Sequence, residues 1–190
     1  MNLTIQDDIN RAIETLAKGG LILYPTDTIW GIGCDATRPE AVKRVFDLKR
    51  RADSKALIVL LDSADKLDHY VVDVPEMALE LIEVAVNPLT IIYEGAYNVA
   101  PALLGDNDSL GVRIPQDDFT QQLCARFGKP IVSTSANISG EPSPATFADI
   151  SKEIIEGVDY VVSHRQDDAT PRKASNIIRL NRNGTFKIIR

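Results

Sequence analysis

Lys49, Arg50, Arg51 and Lys55 place four cations within seven residues. Lysine supplies a point charge and arginine a two-pronged donor, the two tools that grip an oxyanion or a polyphosphate. The plainer alternative is a solvated helix end, where the helix dipole favours cations. A second cluster, Ser133-Thr134-Ser135-Ala136-Asn137, offers hydroxyls and an amide that could hold phosphate, ribose or a metal-bound water, or could satisfy their own turn. Arg113 lies inside LGVRIP with apolar residues on both sides. A guanidinium is costly to bury without an anion, so it either pairs with an acidic side chain or binds a substrate carboxylate. Thr26-Asp27-Thr28 crowds three oxygen-bearing side chains into a turn, followed by Gly31 and Gly33, where backbone can approach a ligand closely. Ser175-Asn176 opens the closing hairpin, and simple polarity at a strand start is its plainer reading.

These groups need elements to hold them. Ile9, Ala12, Ile13, Leu16 and Ala17 recur at helical spacing, between Asp7-Asp8 and Gly19-Gly20. A strand follows at 21–24. Thr37-Arg38-Pro39-Glu40 reads as a capping box starting a helix that ends near 50–53. Ala56–Leu61 (ALIVLL) is an apolar run of strand length, covered on both faces. Helical patterns follow at 63–69, 75–86, 119–127 and 146–156, with strands at 89–93, 110–114, 131–135 and 160–163. The chain closes on a hairpin of 176–180 and 185–189. Residues 137–144 form a loop rich in turn residues, and the charged stretch 164–173, lacking an apolar anchor, is the most mobile piece expected. Strands interleaved with helices predict an α/β, or mixed α+β, fold in a single domain spanning 1–190.

Bulk composition narrows the function classes. With 21 basic against 27 acidic residues the net charge is −6 and the pI is near 5.0, which argues against a broad basic face for nucleic acid. Cys34 and Cys124 form no CxxC and no metal spacing with His69 and His164, so a reduced, cytoplasmic chain without a metal site is expected. No apolar run approaches a membrane span, and the N-terminus lacks the pattern of an export signal. Gly31-Ile32-Gly33 resembles a dinucleotide fingerprint, but six residues separate it from the strand, too many for the tight turn onto a helix N-terminus. No histidine motif accompanies Ser135 to make a serine hydrolase. Tyr24 and Trp30 could wall a pocket or simply fill the core.

Taken together, YPTDTIWGIGCD, LKRRADSKALIVLL, LGVRIP and VSTSANISGEPSP resemble the YrdC-like threonylcarbamoyl-AMP synthases, in the family's order and over nearly the whole chain. The resemblance implies a twisted open sheet with flanking helices around a large, positively lined concave cavity. It implies a reaction joining L-threonine, bicarbonate and ATP into L-threonylcarbamoyladenylate with release of pyrophosphate, for t6A modification of tRNAs reading ANN codons. By position, the family's Lys-x-Arg and Ser-x-Asn fall on Lys49, Arg51, Ser135 and Asn137 as catalytic and nucleotide-binding residues. Ser143 and Thr90 join them on the nucleotide side, while Thr26, Arg113 and Ser175 fall on the threonine side. Mg²⁺ would enter through the phosphates. Proteins that transfer the adenylate onward, and a weak direct contact with tRNA, complete the implied partners. Here Ala52, Ala56, Asn87 and Ala174 depart from the family's usual residues. Longer members carry a second domain after a linker, and none is expected here. Two other classes stay open: an RNA-binding accessory module, and a carbamoyl-transfer domain working through carbamoyl-adenylate.

Overall fold

The computed structural model describes residues 4–51 and 57–190. Ala52, Lys55 and Ala56, with their expected share in the cation cluster and the start of the ALIVLL strand, lie outside the described residues. Alternation of side chains along each strand builds two cores, one on either face of one sheet. Strand β1 (Ile22–Tyr24) sends Ile22 and Tyr24 to one face, while Leu23 and the preceding Leu21 go to the other. Helix α1 (Ile5–Ala17) covers the first face with Ile9, Ala12 and Leu16. They pack with Phe119 and Leu123 of α4 (Asp118–Phe127) against Ile22, Leu60 and Ile131. Helix α2 (Pro39–Leu48) covers the second face, laying Val42, Val45 and Phe46 over Leu23, Ile32, Val59 and Val132.

The remaining elements are β2 (Gly31–Gly33), β3 (Ile58–Leu60), α3 (Glu76–Val84), β4 (Leu89–Tyr93), β5 (Leu110–Arg113), β6 (Ile131–Ser135), α5 (Lys152–Gly157), β7 (Tyr160–Val161), β8 (Asn176–Leu180) and β9 (Phe186–Ile188). The strands run β7-β1-β2-β6-β3-β5-β4-β8-β9 across one mixed sheet. Its centre joins β3 parallel to β5 and antiparallel to β6. Val59 and Leu60 are fully buried there, as a strand covered on both faces requires.

Several local expectations change. The Thr37–Glu40 capping box does not form: the N-cap of α2 is Arg38, which makes no side-chain cap, and the Thr37 hydroxyl instead donates to Asp35 Oδ1 at 2.6 Å. A reciprocal box does occur at Thr4 and Asp7, opening α1. Gly31 and Gly33, assigned to no element from the sequence, are strand residues paired with Tyr24 and Ile22 across β1–β2. A Cβ on Gly33 would stand 2.7 Å from Tyr24 Cε1 and 2.8 Å from the Val132 carbonyl, so that glycine is there for packing. The 146–156 pattern splits into a 3₁₀ turn at Phe147–Asp149 and α5. Residues 164–173 are not unanchored. His164 stacks on Phe119 with ring centroids 5.2 Å apart, and Asp8 accepts from the backbone N–H of Ser163 and His164, both at 2.9 Å.

Candidate active site

Residues of β2, β3, β5, β6 and β8 line a cavity of about 200 Å³. Three guanidinium groups line it (Arg51, Arg113 and Arg190), together with the hydroxyl residues Thr28, Ser133, Thr134, Ser135, Ser143 and Ser175. Trp30, Leu57, Ile58 and Ile177 supply apolar wall. No Asp or Glu side chain is among the described residues lining it, so its side chains suit anions, although the chain carries a net charge of −6.

Each lining group is placed by a specific local feature. Arg50 takes a left-handed backbone (φ 49°) just after α2, and its side chain pairs outward with Glu153 at 2.7 Å. That reversal leaves the next residue, Arg51, facing the cavity, its backbone N–H bonded to the Phe46 carbonyl at 3.0 Å. Burial lowers the Arg51 pKa, yet a guanidinium remains charged at any physiological pH. Arg113 ends β5 between Leu60 of β3 and Thr90 of β4. Ser133 and Ser135 lie two residues apart on β6, which puts both hydroxyls on one face. Trp30 is held by Phe147, ring centroids 4.8 Å apart, whereas Tyr24 is core, fully buried under the β2 glycines.

The other predicted residues stand behind this lining. Lys49 is only 1% exposed. Its ammonium donates to the Ser135 carbonyl and to the Asn137 carbonyl at 2.6 Å, so it ties the Ser-x-Asn turn to the end of α2. Asn137 Nδ2 donates to the Ile138 and Glu141 carbonyls, each at 2.9 Å, bracing the same loop. Its buried Oδ1 has no hydrogen-bond partner among the described residues. Thr90 is fully buried, and its hydroxyl lies 2.7 Å from that of Ser175. Thr26 is buried too, its hydroxyl donating to the Ile29 carbonyl at 2.9 Å and lying 3.5 Å from Arg113 Nη2. Of the nine predicted residues, the structure brings Arg51, Arg113, Ser135, Ser143 and Ser175 to the cavity and sets Lys49, Asn137, Thr90 and Thr26 one layer back.

The sequence places Asp27, Thr28 and Ser133 in candidate clusters without giving any of them a role of its own, and it does not mark Arg190 at all. Alternation along β6 could have singled out Ser133 beside Ser135. Nothing local marks Arg190, whose Nη2 donates to the Ser175 carbonyl at 3.0 Å. Of the two alternatives for Arg113, the structure shows the acidic partner, Asp27, Nη2 to Oδ1 at 3.3 Å; the side chain also lines the cavity.

Burial, with Arg51 nearby, lowers the Lys49 pKa from 10.5 to about 8. A lysine with a lowered folded pKa binds fewer protons folded than unfolded between those two values, so its contribution to stability rises with pH there. Urea denaturation of the wild type and Lys49→Met at pH 7 and pH 9.5 is expected to show the wild type gaining on the variant by about 1–2 kcal/mol at the higher pH. A constant gap would mean that the ammonium is not desolvated.

A family model for Sua5, YciO and YrdC proteins, described as "Telomere recombination", matches residues 14–190. A threonylcarbamoyl-AMP synthase from Xanthomonas euvesicatoria pv. vesicatoria (strain 85-10) is 37% identical over 158 residues, covering 82% of this chain and 84% of that protein. The structure of P. abyssi Sua5 complexed with L-threonine superposes with a TM-score of 0.82 at 26% identity, covering 95% of this chain but 52% of that one. The chain thus spans about half the length of that Sua5 protein. E. coli YciO superposes with a TM-score of 0.84 at 25% identity, covering 100% of this chain and 90% of that one.

Proposed function

The chain belongs to the Sua5/YciO/YrdC family, and on that premise we propose that it is a threonylcarbamoyl-AMP synthase. It joins L-threonine, bicarbonate and ATP into L-threonylcarbamoyladenylate, releasing pyrophosphate and water, for t6A modification of tRNA. The observation that carries this reading is the cavity itself: three guanidiniums and a ring of hydroxyls with no Asp or Glu side chain among the described lining residues. Such a surface suits a nucleotide triphosphate beside an amino-acid carboxylate.

In this reading Arg51, Ser135 and Ser143 hold the phosphates, and Arg113 with Ser175 takes the threonine carboxylate. Thr26 supports Arg113, Thr90 orients the Ser175 hydroxyl, and Lys49 and Asn137 hold the Ser135 turn in place. Attack of the threonine carbamate on the α-phosphorus forms the new P–O bond and expels pyrophosphate. The charge developing on the leaving group is met by fixed cations and N–H groups, so positioning and electrostatic stabilisation supply the catalysis without a protein nucleophile. No group of three or more His, Cys, Asp or Glu side chains among the described residues is arranged to hold a metal. Mg²⁺ therefore fits as an ion carried by the phosphates and water rather than by the protein.

The adenylate is a reactive mixed anhydride, so transfer proteins that receive it are the natural partners, with tRNA at most weakly held by an acidic chain. Among the described residues no helix is long and apolar enough to cross a membrane; a cytoplasmic setting and a single working domain over 1–190 are part of the same proposal. Pyrophosphate release that requires threonine, bicarbonate and ATP together is the expected result. Release independent of threonine, or none with Mg²⁺ supplied, would overturn the reading. Tight, salt-sensitive tRNA binding without turnover would favour an RNA-binding module instead.

A further inference from the structure

Behind the cavity, the turn Thr26–Thr28 meets the end of β5 through buried charge. The Asp27 side chain is 5% exposed and that of Arg113 4%, with Oδ1 and Nη2 3.3 Å apart. Asp27 Oδ2 accepts the Gln116 backbone N–H at 3.1 Å, which ties the carboxylate to the chain just past β5. Nη2 also faces the Thr26 hydroxyl at 3.5 Å. A second pair, Arg165 and Asp117 at 3.4 Å, clamps the same turn from its far side, with Arg165 Nη2 donating to the Thr26 carbonyl at 3.1 Å. One part of the Arg113 guanidinium is thus committed to the turn, while its buried Nε has no hydrogen-bond partner among the described residues and the side chain still lines the cavity.

We propose that Asp27 is a positioning residue for amino-acid recognition: its carboxylate holds the Arg113 guanidinium from behind, leaving the uncommitted donors set for the substrate's carboxylate. This rests on the reading of the cavity as a threonine site. The physical reason is pre-organisation. An arginine side chain loses rotamer freedom when it binds an anion, and an arginine already fixed by a buried partner has lost that freedom before the substrate arrives. Asp27 also meets the need of a buried guanidinium for a counter-charge in the unliganded protein. A purely stabilising ion pair would satisfy only the second requirement, and kinetics separates the two.

Threonine-dependent pyrophosphate release and calorimetric threonine binding are measured for the wild type and Asp27→Asn. Asp27→Asn is expected to raise the threonine KM about tenfold, with a matching loss of threonine affinity. The KM for ATP, and kcat at saturating threonine, should stay within about twofold. An unchanged threonine KM, or threonine and ATP values rising together, overturns the proposal. Should Asp27→Asn fail to fold, Asp27→Glu replaces it. That variant keeps the charge but displaces the carboxylate by a methylene, so the same threonine-only rise is expected, and an unchanged threonine KM again overturns the proposal. A wild type that neither binds threonine nor depends on it for turnover would overturn the synthase reading, and this inference with it. A normal wild type beside a normal Asp27 variant removes this inference alone.

Discussion

Arg51→Ala is expected to lower kcat/KM for threonine-dependent pyrophosphate release by about 10²–10³-fold, the range seen when one pre-organised donor to a developing charge is removed. Arg51 is half-buried where α2 ends, turned toward the cavity by the left-handed Arg50. Its charge does not depend on pH in any working range, so the loss should be uniform across the pH profile. Arg51→Lys should recover only part of the rate, because it restores a point charge but not a planar fork matched to phosphate oxygens. The α2 core is carried by Val42, Val45 and Phe46, so the unfolding midpoint of both variants should stay within a few degrees of the wild type. Near-normal turnover in Arg51→Ala would return the cation cluster to a solvated helix end.

Gly33→Ala should leave a protein weaker in fold rather than in chemistry. The added Cβ would fall 2.7 Å from Tyr24 Cε1 and 2.8 Å from the Val132 carbonyl, and Tyr24 is fully buried with no room to swing. Overpacking of this kind costs about 1–3 kcal/mol, which for a chain of this size lowers Tm by roughly 2–4 °C per kcal/mol. Gly31→Ala is the control on the same strand. Its Cβ would approach the Ser133 hydroxyl at 3.3 Å, in the cavity wall, so its expected effect is on substrate affinity more than on Tm. Thermal melts and steady-state kinetics on the two variants separate these outcomes. Equal loss of stability in both would show that the two glycines do the same job.

Much of the fold was legible because helix and strand periodicities are written locally. The apolar run Leu21-Ile22-Leu23 anticipated a buried strand, and ALIVLL anticipated one covered on both faces; the structure buries Val59 and Leu60 fully. The Thr37 cap failed because Asp35, two residues away, accepts from both the Thr37 hydroxyl and the Thr37 backbone N–H, as short polar side chains commonly do near turns. That N–H is the one Glu40 would bond in a capping box. The 75–86 helix was legible in extent to within two residues at each end, yet its environment was not: only Ala78 of α3 is buried.

For the site, residue type alone marked the chemistry. The cations and hydroxyls offered an anion grip against the plainer readings of a solvated helix end and a self-satisfied turn, and Arg113 between apolar neighbours called for a counter-charge, which Asp27 supplies. What the sequence could not settle is which side chains touch the cavity and which stand behind it, because that depends on pairings between distant strands. Lys49 and Arg51 are two residues apart, yet one is sealed against the Ser135 and Asn137 carbonyls and the other lines the cavity. The division is made by β6 lying between β2 and β3 and by the reversal at Arg50. Asp27 and Arg113 meet only because the turn after β1 reaches the end of β5, and Thr90 finds Ser175 only because β4 and β8 run side by side. Local propensity specifies the elements, while burial shared among remote segments decides their order and register, and hence which groups face a ligand.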